Sequence, residues 1–301
     1  MRIGILAFHS DKRTPYAELR LVKAARSLGY TANVLNAADC ELYYDGTGSK
    51  IFYRGKPLPP LDVLIPRVGV TINVDLQASI VKHFELMGVP VLNTYDSIVK
   101  AKNKLKTLQI MSHYHMPIPK TVAIKNKDAL KGAIRKVGGV PVIMKSPFGS
   151  LGSGVMIAES YRAALSILDM LWNSALNRAT HMILVQEYVK ESKGKDTRVL
   201  VVGGKVIACM ERTAKKGEFR SNASIGGKGK AVTVSKEYED MAIKSAELLG
   251  LEMAGVDIIL TSQGPAILEV NCNPGFSYLE PVTGIDVAKA IVERAVALPV
   301  A

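Results

Sequence analysis

Cysteine is scarce: three stand in 301 residues, Cys40, Cys209 and Cys272. None forms a C-x-x-C pair, which argues against a zinc site, and three thiols cannot all pair internally, so buried thiols in a reducing cytoplasm are expected. No apolar run approaches the roughly 20 residues needed to cross a bilayer. The opening "MRIGILAF" is short and soon interrupted by "HSDKR", unlike a signal peptide. A cytoplasmic chain with no membrane partner is therefore expected. Aromatic residues are only 6% of the chain and do not interleave with the basic segments. A nucleic-acid binder built on stacking platforms is disfavoured on that ground. Internal repeats, low-complexity tracts and long basic runs are also missing.

What is present is an ordinary globular composition, 48% hydrophobic and 22% charged, with a formal net charge of +12 and a pI near 9.5. That balance implies an acidic partner such as phosphates or an anionic protein tail, without choosing among them. The length accommodates two or three domains.

Along the chain, "RIGILAF", the helical "YAELRLVKAARSLGY" and "TANVLNA" form a strand–helix–strand unit, the start of a parallel α/β domain. "LDVLIPRV" and "PVLNT" add strands, with the helical "DLQASIVKHFELMG" between them. This domain is expected over residues 1–93. "SIVKAKNKLKTLQIMSHY" reads as one basic helix and "MPIPKTVAI" as a strand. A central unit, 94–185, continues with "PVIMKS", a glycine-rich loop, "GVMIAE" and the helix "YRAALSILDMLWNSAL". A last unit, 186–301, contains the hairpin "DTRVLVVGGKVIACMERTA", the helix "KEYEDMAIKSAELLG", a second hairpin and the helix "DVAKAIVERAVAL".

The second hairpin carries the sharpest chemistry. In "ILEVNCNPGF" (267–276) side chains alternate between faces. Leu268, Val270 and Cys272 are expected on the core face, Glu269 and Asn271 on the other. If "TSQGP" is a symmetric five-residue loop, Asp257 sits opposite Glu269. Facing carboxylates roughly 4.5–5.5 Å apart at Cβ repel unless a cation lies between them. With the amide oxygen of Asn271 added, the oxygen-only set suits Mg²⁺. A solvated polar face is the plainer alternative.

"VIMKSPFGSLGSGV" (142–155) places Lys145 at a strand end ahead of Gly149, Gly152 and Gly154. Glycines let backbone N–H groups approach an anion, and successive N–H groups form a nest. The loop is neither a Walker A motif nor a dinucleotide fingerprint, and a plain hairpin turn is equally consistent with it. Asp196, Arg198, Arg212, Arg220 and Asn222 lie in two polar stretches. Arginines converging on a carboxylate–metal site would bind phosphate and carboxylate in bidentate fashion; singly, each reads as a surface charge.

Taken together, "IPRVG" (65–69), "KAKNKLKTLQ" (100–109), the lysine and glycine-rich loop, "VQEYVKES…DTRVLVV", "GEFRSN" and "AGVDIIL…ILEVNCNPG" resemble the ATP-grasp superfamily, and within it the RimK-type glutamate ligases. The resemblance implies an α/β protein with the ATP-grasp fold: an N-terminal parallel α/β domain, then two α+β subdomains enclosing the nucleotide. It implies that Lys104 and Lys145 hold ATP phosphates, that Glu187, Tyr188 and Val189 line the adenine pocket, and that Asp196 contacts the nucleotide. Arg220, Ser221 and Asn222 would hold phosphates and reacting groups, with Arg198 and Arg212 beside them. Asp257, Glu269 and Asn271 would bind two Mg²⁺, with Mn²⁺ as a substitute. The implied reaction adds L-glutamate to an acceptor carboxylate through an acyl phosphate. The expected acceptor is the C-terminus of a small-subunit ribosomal protein; a pterin-type coenzyme or an amino-acid carrier protein would use the same chemistry. A homo-oligomer is expected. "SPFGSLGSG" and "NPGFSYLEP" depart from the family's usual wording, and both departures bear on the acceptor.

Overall fold

The computed structural model describes residues 1–8, 15–69, 73–149, 154–173, 182–221 and 226–299. The chain opens with β1 (Arg2–Ala7), α1 (Tyr16–Ser27) and β2 (Thr31–Asn36). A three-stranded antiparallel sheet of β3 (Cys40–Tyr44), β4 (Ser49–Tyr53) and β5 (Lys56–Pro57) interrupts the unit before β6 (Val63–Arg67) returns to it. β1 lies parallel between β2 and β6. Its apolar run is buried from Ile3 to Ala7, as a strand covered on both faces requires. After α2 (Val74–Leu86), the stretch expected as the strand "PVLNT" makes only single bridges, Leu64 with Val91 and Asn93 with Leu251. The buried Asn93 side chain supplies the remaining hydrogen bonds. It donates to the Met253 and Cys272 carbonyls at 2.9 Å and accepts from the Glu252 and Met253 amides.

The single basic helix expected from "SIVKAKNKLKTLQIMSHY" is two, α3 (Tyr95–Lys102) and α4 (Lys104–His113). Asn103 breaks it. Its backbone leaves the helical region, and its side chain accepts from the Leu105 and Lys106 amides, an N-cap to α4. β7 (Thr121–Ile124), α5 (Leu130–Lys136), β8 (Val142–Lys145), β9 (Val155–Ala158), α6 (Tyr161–Asn173) and β10 (Ile183–Glu187) follow. The four strands form an antiparallel sheet ordered β7–β10–β8–β9. Ile183 and Val185 of β10, with Val142 and Met144 of β8, pack into one core with α5 and α6. Strand alternation turns Gln186, Ile143 and Lys145 to the opposite face.

β11 (Lys195–Val202), β12 (Lys205–Thr213), β13 (Lys228–Ala231), α7 (Lys236–Leu249), β14 (Met253–Thr261) and β15 (Gly264–Asn271) complete a five-stranded antiparallel sheet ordered β13–β12–β11–β14–β15. α8 (Leu279–Thr283) and α9 (Val287–Val296) end the described chain. Leu200, Val202, Ala208 and Met253 share one core with Ile3, Ile5, Leu21 and the buried face of α9. The first parallel sheet and the five-stranded sheet are thus packed on each other, whereas the four-stranded sheet has its own core.

Candidate functional site

A cleft enclosing about 920 Å³, its open mouth included, lies between the four-stranded and five-stranded sheets. Lys145 and Gln186 project into it from one wall, Asp196, Arg212, Asp257 and Glu269 from the other, and Glu187, Tyr188 and Val189 join the two. Lys104, Arg220 and Ser221 also line it.

The carboxylate hairpin has the expected pairing at its functional end: Asp257 is opposite Glu269 and Gly255 opposite Asn271. Nearer the turn the register differs. Thr261 pairs with Gly264, so the connection is Ser262–Gln263 rather than the five residues of "TSQGP", and a bulge between Asp257 and Ile258 restores the register. A bulge puts two residues of one strand opposite one of the other. Leu268 consequently leaves the expected face. Ile267, Val270 and Cys272 enter the main core, while Leu268 packs with Val189, Ile259 and Ala266 and lines the cleft.

Asp257, buried at 4% exposure, is held by Arg198 of the adjoining β11 and by Arg212 of β12, one strand further. Arg198 grips it through Nε and, at 2.8 Å, through Nη2, while Arg212 Nη2 reaches it at 2.9 Å. Arg212 also holds Asp196 at 2.7 and 2.6 Å, and Ser221 Oγ donates to the same carboxylate at 2.6 Å. Burial by itself would raise the Asp257 pKa, but Arg198 and Arg212 outweigh it and hold the carboxyl below its ordinary value. Burial, with Asp257 beside it, raises Asp196 instead. Arg212, between the two carboxylates, is held firmly protonated.

Across the cleft, Lys145 Nζ donates to Gln186 Oε1 at 2.9 Å, and Gln186 donates in turn to Thr121 Oγ1 at 2.8 Å. Burial, reinforced by Lys104, pushes the Lys145 pKa down to about 8. Lys104 Nζ donates to the Gly149 carbonyl at 2.8 Å and lies 3.7 Å from Glu269. Gly149 and Gly154 both adopt positive φ, +129° and +72°, the region open to glycine at no steric cost. The Glu187 carboxylate accepts from the Lys120 amide at 2.8 Å, so it clasps the strand before the cleft. Arg220 is bound by Glu218 at 2.8 Å.

Not every candidate residue enters the cleft. Arg198 acts on it through Asp257, and Asn271 is not among its lining residues; its side chain accepts from the Asn273 amide at 2.9 Å. Gly152 and Asn222 lie outside the described residues. Among the described residues no three His, Cys, Asp or Glu side chains cluster as a metal site. The two carboxylates that do face each other across the hairpin, Asp257 and Glu269, are hard oxygen donors and suit a divalent cation that keeps further positions for phosphate. Two cleft residues are not candidates from the sequence: Gln186, and Leu268, which was expected in the core. Gln186 had left a trace, as a polar residue inside the apolar run of β10.

Two family profiles match the chain: a RimK PreATP-grasp domain over residues 1–98 and a RimK-like ATP-grasp domain over residues 101–295. The chain is 39% identical over 296 residues to a probable alpha-L-glutamate ligase of Marinomonas sp. strain MWYL1, covering 98% of this chain and 95% of the relative. It is also 39% identical over 293 residues to the ribosomal protein bS6--L-glutamate ligase of Salmonella paratyphi B, covering 97% and 95%. Among solved structures, the RimK domain ATP-grasp protein of Sphaerobacter thermophilus DSM 20745 has the same fold, with a TM-score of 0.75 at 21% identity over 98% of this chain and 99% of the other.

Proposed function

The chain belongs to the RimK-like ATP-grasp family and is an ATP-dependent ligase; from that premise we propose that it joins the amine of L-glutamate to the C-terminal carboxylate of a protein acceptor. The observation that carries this reading is the convergence of Lys104, Lys145, Asp257 and Glu269 on one cleft beside the connecting segment Glu187–Val189.

In this reading the adenine lies against Glu187, Tyr188 and Val189, with Asp196 beside the ribose. Lys104 and Lys145 take the phosphates, aided by the backbone around Gly149 and Gly154 and by Ser221. Asp257, Glu269 and Asn271 would hold two Mg²⁺, for which Mn²⁺ can substitute, and the bound ions would neutralise charge on the phosphoryl group. An acceptor carboxylate oxygen attacks the γ-phosphorus, the bond from that phosphorus to the β,γ-bridging oxygen breaks, and ADP departs as the acyl phosphate forms. The glutamate amine then attacks the acyl carbon, inorganic phosphate leaves with the bonding pair, and the amine gives up a proton as the amide forms. Arg220 faces the charge that develops in both steps, and Arg198 and Arg212 keep Asp257 aligned. Positioning and electrostatics supply the acceleration; no side-chain nucleophile takes part.

The curated relatives named for ribosomal protein bS6 support a ribosomal-protein tail as acceptor. The cationic balance of +12 suits both that tail and the nucleotide. Incubation with ATP, Mg²⁺, labelled glutamate and a cell extract tests the reading. Label is expected at the C-terminus of one small-subunit ribosomal protein. ATP turnover with label confined to a small coenzyme would leave the ligase chemistry standing and remove the protein acceptor.

A further inference from the structure

The motif Ile65-Pro66-Arg67-Val68-Gly69 has no part in the nucleotide cleft. Arg67 ends β6, at the carboxyl edge of the parallel sheet, and is only 5% exposed. In open parallel sheets ligands bind in the crevice beyond the carboxyl ends of the strands.

Arg67 is poorly served for a buried cation. Its Nη1 donates to the Pro274 carbonyl at 3.3 Å, and the Phe276 ring centroid lies 5.5 Å from its guanidinium carbon. Its Nε is 3.6 Å from Glu18 Oε1, too far for a hydrogen bond. Arg67 Nε, Glu18 Oε2 and Asn273 Oδ1 are all buried and have no hydrogen-bond partner among the described residues. Asn273 belongs to the same junction, since its Nδ2 donates to the Val68 carbonyl at 3.0 Å. An unmet buried polar group is costly, because nothing repays its desolvation. A buried ion pair repays its desolvation only with good geometry and satisfied hydrogen bonds. A pair serving stability alone would close.

The junction also leads to the reaction centre. Pro274 lies over Gly255, where an added Cβ would come within 2.8 Å of Pro274 Cβ and 3.1 Å of Arg198 Nη1. Arg198 in turn grips Asp257. Arg67, Pro274, Gly255, Arg198 and Asp257 therefore form a line from the motif to the carboxylate hairpin.

We propose that Arg67 binds a substrate carboxylate, and that Glu18 is the internal carboxylate that faces it when no substrate is bound. The proposal rests on the ligase reading, in which both the amino acid and the acceptor C-terminus carry carboxylates. A planar guanidinium with donors to spare suits either one in bidentate fashion.

The test is titration calorimetry on the full chain saturated with a non-hydrolysable ATP analogue, using free L-glutamate in one arm and a synthetic peptide ending in glutamate in the other. Arg67→Met is expected to weaken one of the two ligands at least tenfold while the analogue's own affinity stays within twofold. The ligand that moves identifies which carboxylate is held. Glu18→Gln keeps the shape and removes the competing charge, so it is expected to tighten the same ligand threefold or more. A purely structural pair predicts no tightening. If Arg67→Met does not fold, Arg67→Lys serves, with the same direction expected from loss of the fork. Unchanged affinity in the arginine variant, or unchanged or weakened affinity in Glu18→Gln, overturns the proposal. Failure of the ligase reading would look different: the wild type would bind the analogue yet incorporate no labelled glutamate.

Discussion

Lys145 is a cation in a place that disfavours cations. Its folded-state pKa, about 8, lies below that of a free lysine. The unfolded chain therefore binds more protons between about pH 8 and the free-lysine range, and stability gains from this group as pH rises through that window. Nucleotide binding should run the other way, because phosphate needs the ammonium form. Affinity for an ATP analogue, measured by calorimetry, is expected to be flat up to about pH 8 and to weaken above it. Lys145→Arg, which stays protonated, should abolish that dependence. Glu269 makes the complementary case. Its carboxylate lies 3.7 Å from Lys104 and also acts on the charge of Lys145. Glu269→Gln should keep the fold, weaken Mn²⁺ binding at least tenfold as read by electron paramagnetic resonance, and abolish ATP turnover. Unaltered Mn²⁺ binding in that variant would remove Glu269 from the metal site.

Among the elements that aim side chains at the cleft, the α3–α4 break and the β14–β15 hairpin can each be tested by one substitution. Asn103→Ala removes the cap of α4 and should cost about 1 kcal/mol in urea unfolding. Because Lys104 follows immediately, the analogue's affinity should fall as well, which loss of a remote cap would not cause. Gly255→Ala is expected to cost about 1–3 kcal/mol by overpacking, since the new Cβ meets Pro274 and Arg198; a change below a few tenths would show that the hairpin end is looser than drawn. These elements also mark what the sequence revealed. Strand alternation puts Glu269 and Asn271 on one face; the pairing of Asp257 with Glu269 followed from a symmetric five-residue loop, and it holds because the bulge offsets the shorter Ser262–Gln263 connection, so only the shared face was legible. The bulge that turns Leu268 into the cleft was not, since one extra residue leaves no mark in an apolar run. β13, Lys-Gly-Lys-Ala, is a polar edge strand without apolar periodicity. The β3–β5 sheet was passed over because its strands are short and turn-rich. The arginine grips on Asp257 depend on strands brought together from distant parts of the chain, so residue types could be chosen but not partners.

At the scale of the molecule, the single tryptophan, Trp172, packs against the core of the four-stranded sheet. Its fluorescence should report that unit, while far-UV circular dichroism reports the whole chain. Without nucleotide, the urea midpoint by fluorescence is expected to differ from that by dichroism. On the proposed placement a saturating ATP analogue with Mg²⁺ would bridge the two sheets, and at about 100 times its dissociation constant it would contribute roughly 2.7 kcal/mol. The two midpoints should then merge. Coincident midpoints without ligand would mean that the cores unfold as one.

α1 and α9 bury their apolar faces in the same core, and that has a consequence on the ribosome. About 260 residues separate the end of α1 from the start of α9. At roughly 5–20 residues per second of synthesis, the first helix and its parallel strands emerge some 13–50 s before their covering helix exists. During that interval Leu21, Ala24 and Ala25 have no native partner on α9. The nascent chain should therefore be a chaperone client until α9 has left the ribosome, and ribosome-bound chains halted before Val287 should be degraded by added protease through their first unit, while chains lengthened by a linker that carries Val296 clear of the ribosome resist.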